Sequence, residues 1–92
     1  MLGIKYSSEY KRSYRKLSTS GKFKSEKLER VIKILQQTGK LGIEYRDHEL
    51  SGDLAGNREC HIRGDLLLIY NIEENALLHL IDLGSHSELF GK

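Results

Sequence analysis

The stretch Leu66-Leu67-Leu68-Ile69-Tyr70 decides the fold of this chain of 92 residues. Five apolar residues in succession, without polar alternation, indicate a strand that is buried on both of its faces. Turn-forming residues flank the stretch on each side, and three strands are therefore predicted, at 57–62, 66–72 and 76–83. These strands form an antiparallel meander. The apolar stretch is its central strand, covered by helices on one side.

Two helices are predicted before the meander. Alternating residues at 2–6 suit a short first strand, after which Ser7 or Ser8 can cap the first helix. The second helix is predicted at 24–37, with Gly39 as its C-terminal stop. It carries the strongest periodic signal, because its apolar residues recur at i, i+3, i+4 and i+7: Leu28, Val31, Ile32 and Leu35.

The order of these elements sets the fold class. Between the helices and the meander, the glycine-containing segment 41–57 indicates a loop or an irregular strand. The order β-α-α-β-β-β, with helices first and an antiparallel sheet afterwards, predicts an α+β fold. A chain of this length has room for one domain, residues 1–92.

Composition excludes several classes of protein. No apolar run reaches the roughly 18 residues that a membrane span needs. The N-terminus lacks the layout of a signal peptide, so we expect a cytoplasmic protein without a membrane partner. The single cysteine, Cys60, rules out an internal disulfide and is predicted to be a small core residue.

Charge is divided unevenly along the chain. Residues 1–46 carry a formal charge of +8, whereas residues 47–92 carry −6 and all four histidines. A basic half of this kind suits a polyanionic partner such as nucleic acid. The alternative is a pair of helices whose lysines and arginines are simply solvated.

Three histidines stand near carboxylates. His48 lies between Asp47 and Glu49, and His61 shares one face of a strand with Glu59. Asp65 follows at a turn, and His86 lies near the C-terminus. Histidine can take or give a proton near neutral pH, which is what RNA cleavage by its own 2′-hydroxyl requires. No spacing matches a known metal-ligand motif, so neither a metal nor another cofactor is expected. His79 is interpreted as structural.

Four segments together resemble the YafQ branch of the RelE/ParE toxin superfamily. They are 45–52 (YRDHELSG), 58–61 (RECH), 65–70 (DLLLIY) and 83–91 (LGSHSELFG). The N-terminal half agrees with this family only in its strand-helix-helix layout. The fold that the resemblance implies is a twisted antiparallel sheet with two N-terminal helices packed on it.

The resemblance implies a toxin of a type II toxin–antitoxin system that enters the ribosomal A site and cuts the mRNA there. The functional histidines of the family fall on His48, His61 and His86. Its active-site aspartate falls on Asp65, and its C-terminal aromatic residue on Phe90. We expect proton transfer from the histidines, and base stacking or closure of the site from Phe90. Which histidine is the base and which is the acid is left open.

The expected partners follow from the same resemblance. A cognate antitoxin, of ribbon-helix-helix type, would cover the basic face and the active cleft, and operator DNA would be reached only through that complex. Ribosomal RNA would be bound by basic helix residues: Lys11, Arg12, Arg15, Lys16, Lys27 and Arg30.

Two positions depart from the family pattern. A basic residue usually lies two positions before the glycine of the Gly-Ser/Thr-His segment, but here Asp82 stands there. An acid would repel the scissile phosphate unless it points away, and Arg46, Arg58 and Arg63 are the candidate replacements for the missing cation. The aromatic residue that often follows the active-site aspartate is Leu66 here.

Two other functions are compatible with the fold. One is a toxin that poisons a protein target such as DNA gyrase, against which the histidine set argues. The other is a degenerate toxin that acts only as an antitoxin-bound co-repressor.

Overall fold

The computed structural model describes residues 1–21 and 23–91. Its elements are, in chain order, β1 (Gly3–Tyr6), α1 (Ser8–Ser18), α2 (Glu26–Thr38), β2 (His48–Glu49), β3 (Arg58–Arg63), β4 (Leu66–Glu73), β5 (Leu77–Gly84) and α3 (His86–Phe90). Two short 3₁₀ turns, Ile43–Tyr45 and Gly52–Leu54, flank β2. The predicted α+β class is confirmed. Ser7 caps α1 through its side chain, and Gly39 ends α2 in the left-handed conformation with φ of 73°, which favours glycine.

All five strands form one sheet in the order β1-β5-β4-β3-β2, so the apolar stretch is the central strand, as predicted. The predicted antiparallel meander is confirmed for β3, β4 and β5, and the short β2 also pairs antiparallel with β3. The sheet is not antiparallel throughout, because β1 pairs with β5 in parallel. Hydrophobic periodicity locates a strand but does not give the direction of its pairing, so the sequence does not predict that β1 is parallel to its neighbour. The segment 41–57 is the predicted irregular region, with a strand of only two residues.

The main core lies between the sheet and the two N-terminal helices. It joins the apolar stripe of α2 to side chains from the strands and from α1: Tyr10, Leu28, Val31, Leu35, Cys60, Ile62, Leu68, Tyr70, Leu78, Leu80 and Leu83. Cys60 is fully buried, as predicted, and burial raises the pKa of its thiol to about 12. Among the described residues, no helix is long and apolar enough to cross a membrane.

The opposite face of the sheet positions the candidate site. Leu67 and Ile69 alternate with core residues along β4 and are themselves buried, so this face has an apolar floor. The register places His61 beside Leu67 and Glu59 beside Ile69. Glu59 and His61 therefore lie beside the apolar surface formed by Leu67 and Ile69, on the face of the sheet away from α1 and α2.

Candidate active site

A buried carboxylate holds two of the predicted histidines together. Glu59 is only 4% exposed, and its Oε1 lies 3.2 Å from Nε2 of His48 and 4.0 Å from Nε2 of His61. The first contact crosses from β3 to β2, because His48 is the register partner of Glu59. The second runs along β3, where residues two apart share a face. About half of the His48 side chain and a third of the His61 side chain remain exposed, so both can meet a substrate.

A polar cluster anchors the turn that carries His48. The Tyr70 hydroxyl donates to Oδ1 of Asp47 at 2.6 Å, and Arg58 donates from Nε to Oδ2 at 3.1 Å. Arg46 adopts φ of 50°, a left-handed conformation that non-glycine residues rarely adopt. His48 Nδ1 lies 2.9 Å from the Arg46 carbonyl oxygen. The position of His48 is therefore fixed by the anchored Asp47 before it, and the orientation of its ring by the contact with Arg46.

Asp65 and His86 meet at one end of the sheet. The Asp65 carboxylate accepts from the backbone N–H of His86 at 3.3 Å. Leu67 pairs with His61 on one side and with Gly84 on the other, so the start of α3 lies at the same end as His61. Adjacent strands are about 4.8 Å apart, which places the two segments roughly 10 Å from each other. Asp65 thus contacts the backbone that presents His86.

The short helix α3 carries the last two predicted residues. A capping box holds its first turn, in which Ser85 accepts from Glu88 N–H and the Glu88 carboxylate accepts from Ser85 N–H. The hydrogen bond from Ser85 lowers the pKa of Glu88. The ring centroids of His86 and Phe90 are 5.0 Å apart, and Phe90 is 38% exposed. An exposed aromatic ring beside a histidine can stack on a nucleobase.

The structure narrows the candidates for a phosphate-binding cation. Arg58 is already bound, to Asp47 at 3.0 Å and to Glu49 at 3.7 Å, and its hydrogen bond to Asp47 raises its pKa. Arg46 and Arg63 are exposed and make no ion pair within the described part of the chain. Arg46 and Arg63 are therefore better candidates than Arg58 for the cation that binds the phosphate.

Asp82 is held by α1. Its Oδ1 accepts from the Ser13 hydroxyl at 2.7 Å and from the Leu83 N–H at 2.8 Å. A β-bulge in β4–β5 pairing at Ile69 and Tyr70 alters the local alternation of side chains. The Asp82 carboxylate therefore connects β5 to α1, and its hydrogen bonds come from Ser13 and Leu83.

The basic residues of the first helix do not join the histidines. All four cations of α1 are exposed: Lys11, Arg12, Arg15 and Lys16. Since α1 packs against β5 in the main core, these side chains extend from the helical side of the sheet. They form a basic surface on the helical side of the sheet, and its end at Lys16 lies beside Glu88 and Leu89 of α3.

Glu59 is the central residue that the sequence prediction left out of the site. Its place two residues from His61 was the available signal, but its contact with His48 depends on β2, which is too short to show periodicity. His79 lies elsewhere, 3.3 Å from Glu73 near the other end of β5. Within residues 1–21 and 23–91, no three His, Cys, Asp or Glu side chains are grouped so that they could hold a metal ion.

A sheet with two N-terminal helices on one face and a histidine–carboxylate site on the other is the arrangement that the resemblance to the RelE/ParE toxin superfamily implies. Residues 2–91 match the family described as the bacterial toxin of type II toxin–antitoxin system, YafQ, and the chain belongs to that family. The mRNA interferase toxin YafQ of Escherichia coli (strain K12) is 34% identical over 89 residues, which cover 96% of this chain and 95% of the relative.

Solved structures show the same fold. A copper-bound mutant toxin from Helicobacter pylori has a TM-score of 0.89 and is 37% identical, covering 98% of this chain and all of that one. YafQ in the E. coli DinJ–YafQ toxin–antitoxin complex has a TM-score of 0.85 and is 31% identical, covering 98% of each chain. The predicted family and its fold are therefore confirmed.

Proposed function

We propose that this chain is a metal-independent mRNA interferase, the toxin of a type II toxin–antitoxin system that cuts translated mRNA in the ribosomal A site. The observation that carries the proposal is the pair of partly exposed histidines beside the buried Glu59, with His86 presented at the same end of the sheet as His61. A relative that aligns with 96% of the chain is named an mRNA interferase toxin, which supports the same activity.

The proposed reaction is an internal transfer within the RNA. A histidine base takes the proton of the 2′-hydroxyl, whose oxygen attacks the adjacent phosphorus atom. The bond from phosphorus to the 5′-oxygen breaks, and a histidine acid gives that oxygen a proton. The products are a 2′,3′-cyclic phosphate and a 5′-hydroxyl. Acid–base catalysis by positioned histidines contributes about 10²–10⁴-fold to such a step.

The remaining site residues have supporting roles in this proposal. Asp65 fixes the start of α3 through the His86 N–H, so that His86 faces the substrate. Phe90 stacks on a base and closes the site. Arg46 and Arg63 hold the phosphate, while Arg58 acts mainly through Asp47.

The basic surface of α1 would bind the ribosome. Exposed lysines and arginines suit phosphate groups of ribosomal RNA, and each neutralised phosphate makes binding more sensitive to salt. With about six phosphates neutralised, the log–log slope of affinity against salt is expected near −4 to −5. Most of this binding surface lies on the helical side of the sheet, away from His48 and His61, so weaker ribosome binding and slower cleavage should be separable by mutation of Lys11, Arg12 or Arg15.

The proposed protein partner is a cognate antitoxin. The structurally similar E. coli YafQ forms a complex with DinJ. An antitoxin of ribbon-helix-helix type, with an acidic segment over the basic surface and the active cleft, would suit the charge of this chain. Operator DNA would then be bound only through the antitoxin, and the toxin would act in the cytoplasm.

The test is cleavage of mRNA on purified ribosomes with an occupied P site. Separate alanine variants of His48, His61 and His86 are expected to lose about 10²–10⁴-fold in cleavage rate. His79→Ala is the matched control, because His79 is a histidine of the same sheet that lies away from the cluster. Undiminished cleavage and growth arrest by all three variants would contradict the proposal. Arrest with intact mRNA and damaged DNA would indicate a protein poison instead.

A further inference from the structure

An open pocket of about 670 Å³ lies where the end of α1 and the loop after it meet the turn between β3 and β4. Its wall is mainly apolar and includes Leu17, Phe23 and Leu66. These three side chains are partly exposed, and they pack against the main core. A pocket of this size is within the range that small ligands occupy. Its apolar wall belongs neither to the histidine cluster nor to the basic surface of α1.

Phe23 offers an aromatic face to this pocket. Its ring lies at 87° to that of Tyr14, with 5.6 Å between the ring centroids. In a perpendicular pair one ring points its edge at the other, so at most one face of Phe23 is covered. The remaining face is available to a flat ligand. Nucleobases stack on aromatic side chains in this way, and every base can do so.

The pocket adjoins the candidate active site. Asp65 and Ser85 belong to its wall, and Asp65 also accepts from the backbone N–H of His86. Arg63 lies on the same wall, two residues along β3 from His61. Each residue of a strand rises about 3.3 Å, so Arg63 follows His61 by roughly 7 Å. A nucleotide in the pocket would therefore lie next to the phosphate on which the histidines act.

The charges of the pocket suit a polyanionic chain. Lys24 and Arg63 line it, are exposed, and make no ion pair within the part of the chain that the structure describes. Its two carboxylates, Asp65 and Glu88, each accept from a backbone N–H at the start of α3. Unpaired cations beside an aromatic wall are the combination with which proteins bind single-stranded nucleic acid.

We propose that this pocket binds one nucleobase of the mRNA beside the scissile phosphate, with the base stacked on Phe23 and its phosphates held by Arg63 and Lys24. The inference rests on the proposed ribonuclease function. Phe90 lines a different pocket, together with Leu50 and Leu54, so the message has two separate stacking positions. Because the stack uses the face of the base, Phe23 positions the message without selecting a particular base.

The first measurement changes the toxin and the message together. Single-turnover cleavage on purified ribosomes is compared for mRNAs that carry one abasic nucleotide, placed in turn at each position of the A-site codon and directly beside it. At one of these positions the wild type should lose about 5–150-fold, the value of one base–aromatic stack. Phe23→Leu should lose a similar factor on the intact mRNA and nothing further on that abasic mRNA.

Two variants separate binding of a base from packing of the core. Phe23→Trp keeps an aromatic face and should cut the intact mRNA faster than Phe23→Leu does. A residue needed only for packing should instead tolerate Leu better than the larger Trp. Tyr6→Leu is the matched control, because Tyr6 is a half-exposed aromatic residue outside this pocket, and it should respond to the abasic mRNAs as the wild type does. Additive losses from Phe23→Leu and the abasic nucleotide at every position would overturn the proposal.

The second measurement does not depend on cleavage. The chain has no tryptophan, so Phe23→Trp places a single fluorophore in the pocket. A 2′-O-methyl RNA hexamer cannot be cut, because its 2′-oxygens are blocked. It should quench the tryptophan emission of this variant, whereas the same backbone without bases should not. Binding of the hexamer, followed by the anisotropy of a labelled copy, without any quenching would refute the proposal.

These experiments distinguish failure of the inference from failure of the function on which it rests. If the wild type cut no mRNA at all, the proposed function would fail, while the quenching would still decide whether a base enters the pocket. A Phe23→Leu variant that cuts mRNA normally but no longer binds the antitoxin would assign the pocket to a protein partner and overturn the nucleobase proposal.

Discussion

Tyr70→Phe tests the cluster that anchors the turn before His48. Tyr70 lies in the central strand, is 1% exposed, and donates its hydroxyl proton to Asp47 at 2.6 Å. Burial, together with the hydrogen bond to Asp47, raises the pKa of Tyr70, so the hydroxyl remains a donor at any pH at which the protein is handled. The substitution removes this one hydrogen bond and little volume.

The expected loss follows from the geometry of the cluster. A hydrogen bond to a charged acceptor contributes about 1.5–3 kcal/mol to stability. Asp47 keeps Arg58 as a partner at 3.0 Å, so the carboxylate is not left unpaired and the loss should fall in the lower half of this range. We therefore expect about 1.5–2 kcal/mol, which for a domain of this size lowers Tm by roughly 6–16 °C.

Urea denaturation of the purified toxin, followed by circular dichroism, measures this loss. Tyr6→Phe is the control, because Tyr6 is half exposed and should cost less than about 0.5 kcal/mol. A double-mutant cycle of Tyr70→Phe with Asp47→Ala should give a coupling energy of at least about 1 kcal/mol. A Tyr70→Phe effect as small as that of the control, or additive effects in the cycle, would refute the role assigned to this hydrogen bond.

Three further predictions concern the core, the cysteine and the C-terminal helix. Leu35→Ala, at a fully buried position of α2, should destabilise by about 2–5 kcal/mol in the same assay, and a loss below 1 kcal/mol would contradict the packing described. Cys60 should react with a thiol reagent only on unfolding, because burial raises its pKa to about 12, and rapid labelling of the native toxin would count against this. The hydrogen bond from Ser85 lowers the pKa of Glu88, so the wild type should be more stable than Glu88→Gln. This difference in stability should be complete above about pH 4.3, the pKa of an unfolded glutamate, and should shrink as the pH falls through the lower pKa of the folded protein. A difference that grew on acidification would be inconsistent with this hydrogen bond.

The fold was largely predictable because its strongest signals are local. Apolar runs and helical periodicity placed the meander and α2, and side-chain chemistry placed the caps at Ser7 and Gly39. The parallel pairing of β1 with β5 was not predictable in this way, because it depends on how distant segments of chain meet. Sequence periodicity carries no information on that meeting.

The sequence names candidate site residues but does not give the distances between them. The resemblance assigns the functional histidines of the family to His48, His61 and His86, and the structure brings the first two close to one carboxylate. Glu59 stands beside His61 in the sequence but is not predicted as a site residue, because a glutamate within a strand is normally solvated and only its burial in the structure sets it apart. Burial results from the whole fold, so no local pattern could indicate it.

Asp82 shows that a departure from a family pattern has to be judged by where the side chain goes. In the sequence it stands in place of a cation and predicts repulsion of the phosphate. In the structure its carboxylate accepts from Ser13 of α1, so the charge is held at the junction between helix and sheet. Losing a basic residue there removes a positive charge from the site without adding a negative one to it. The site then needs a replacement cation, and the exposed Arg46 and Arg63 are the residues proposed to supply it.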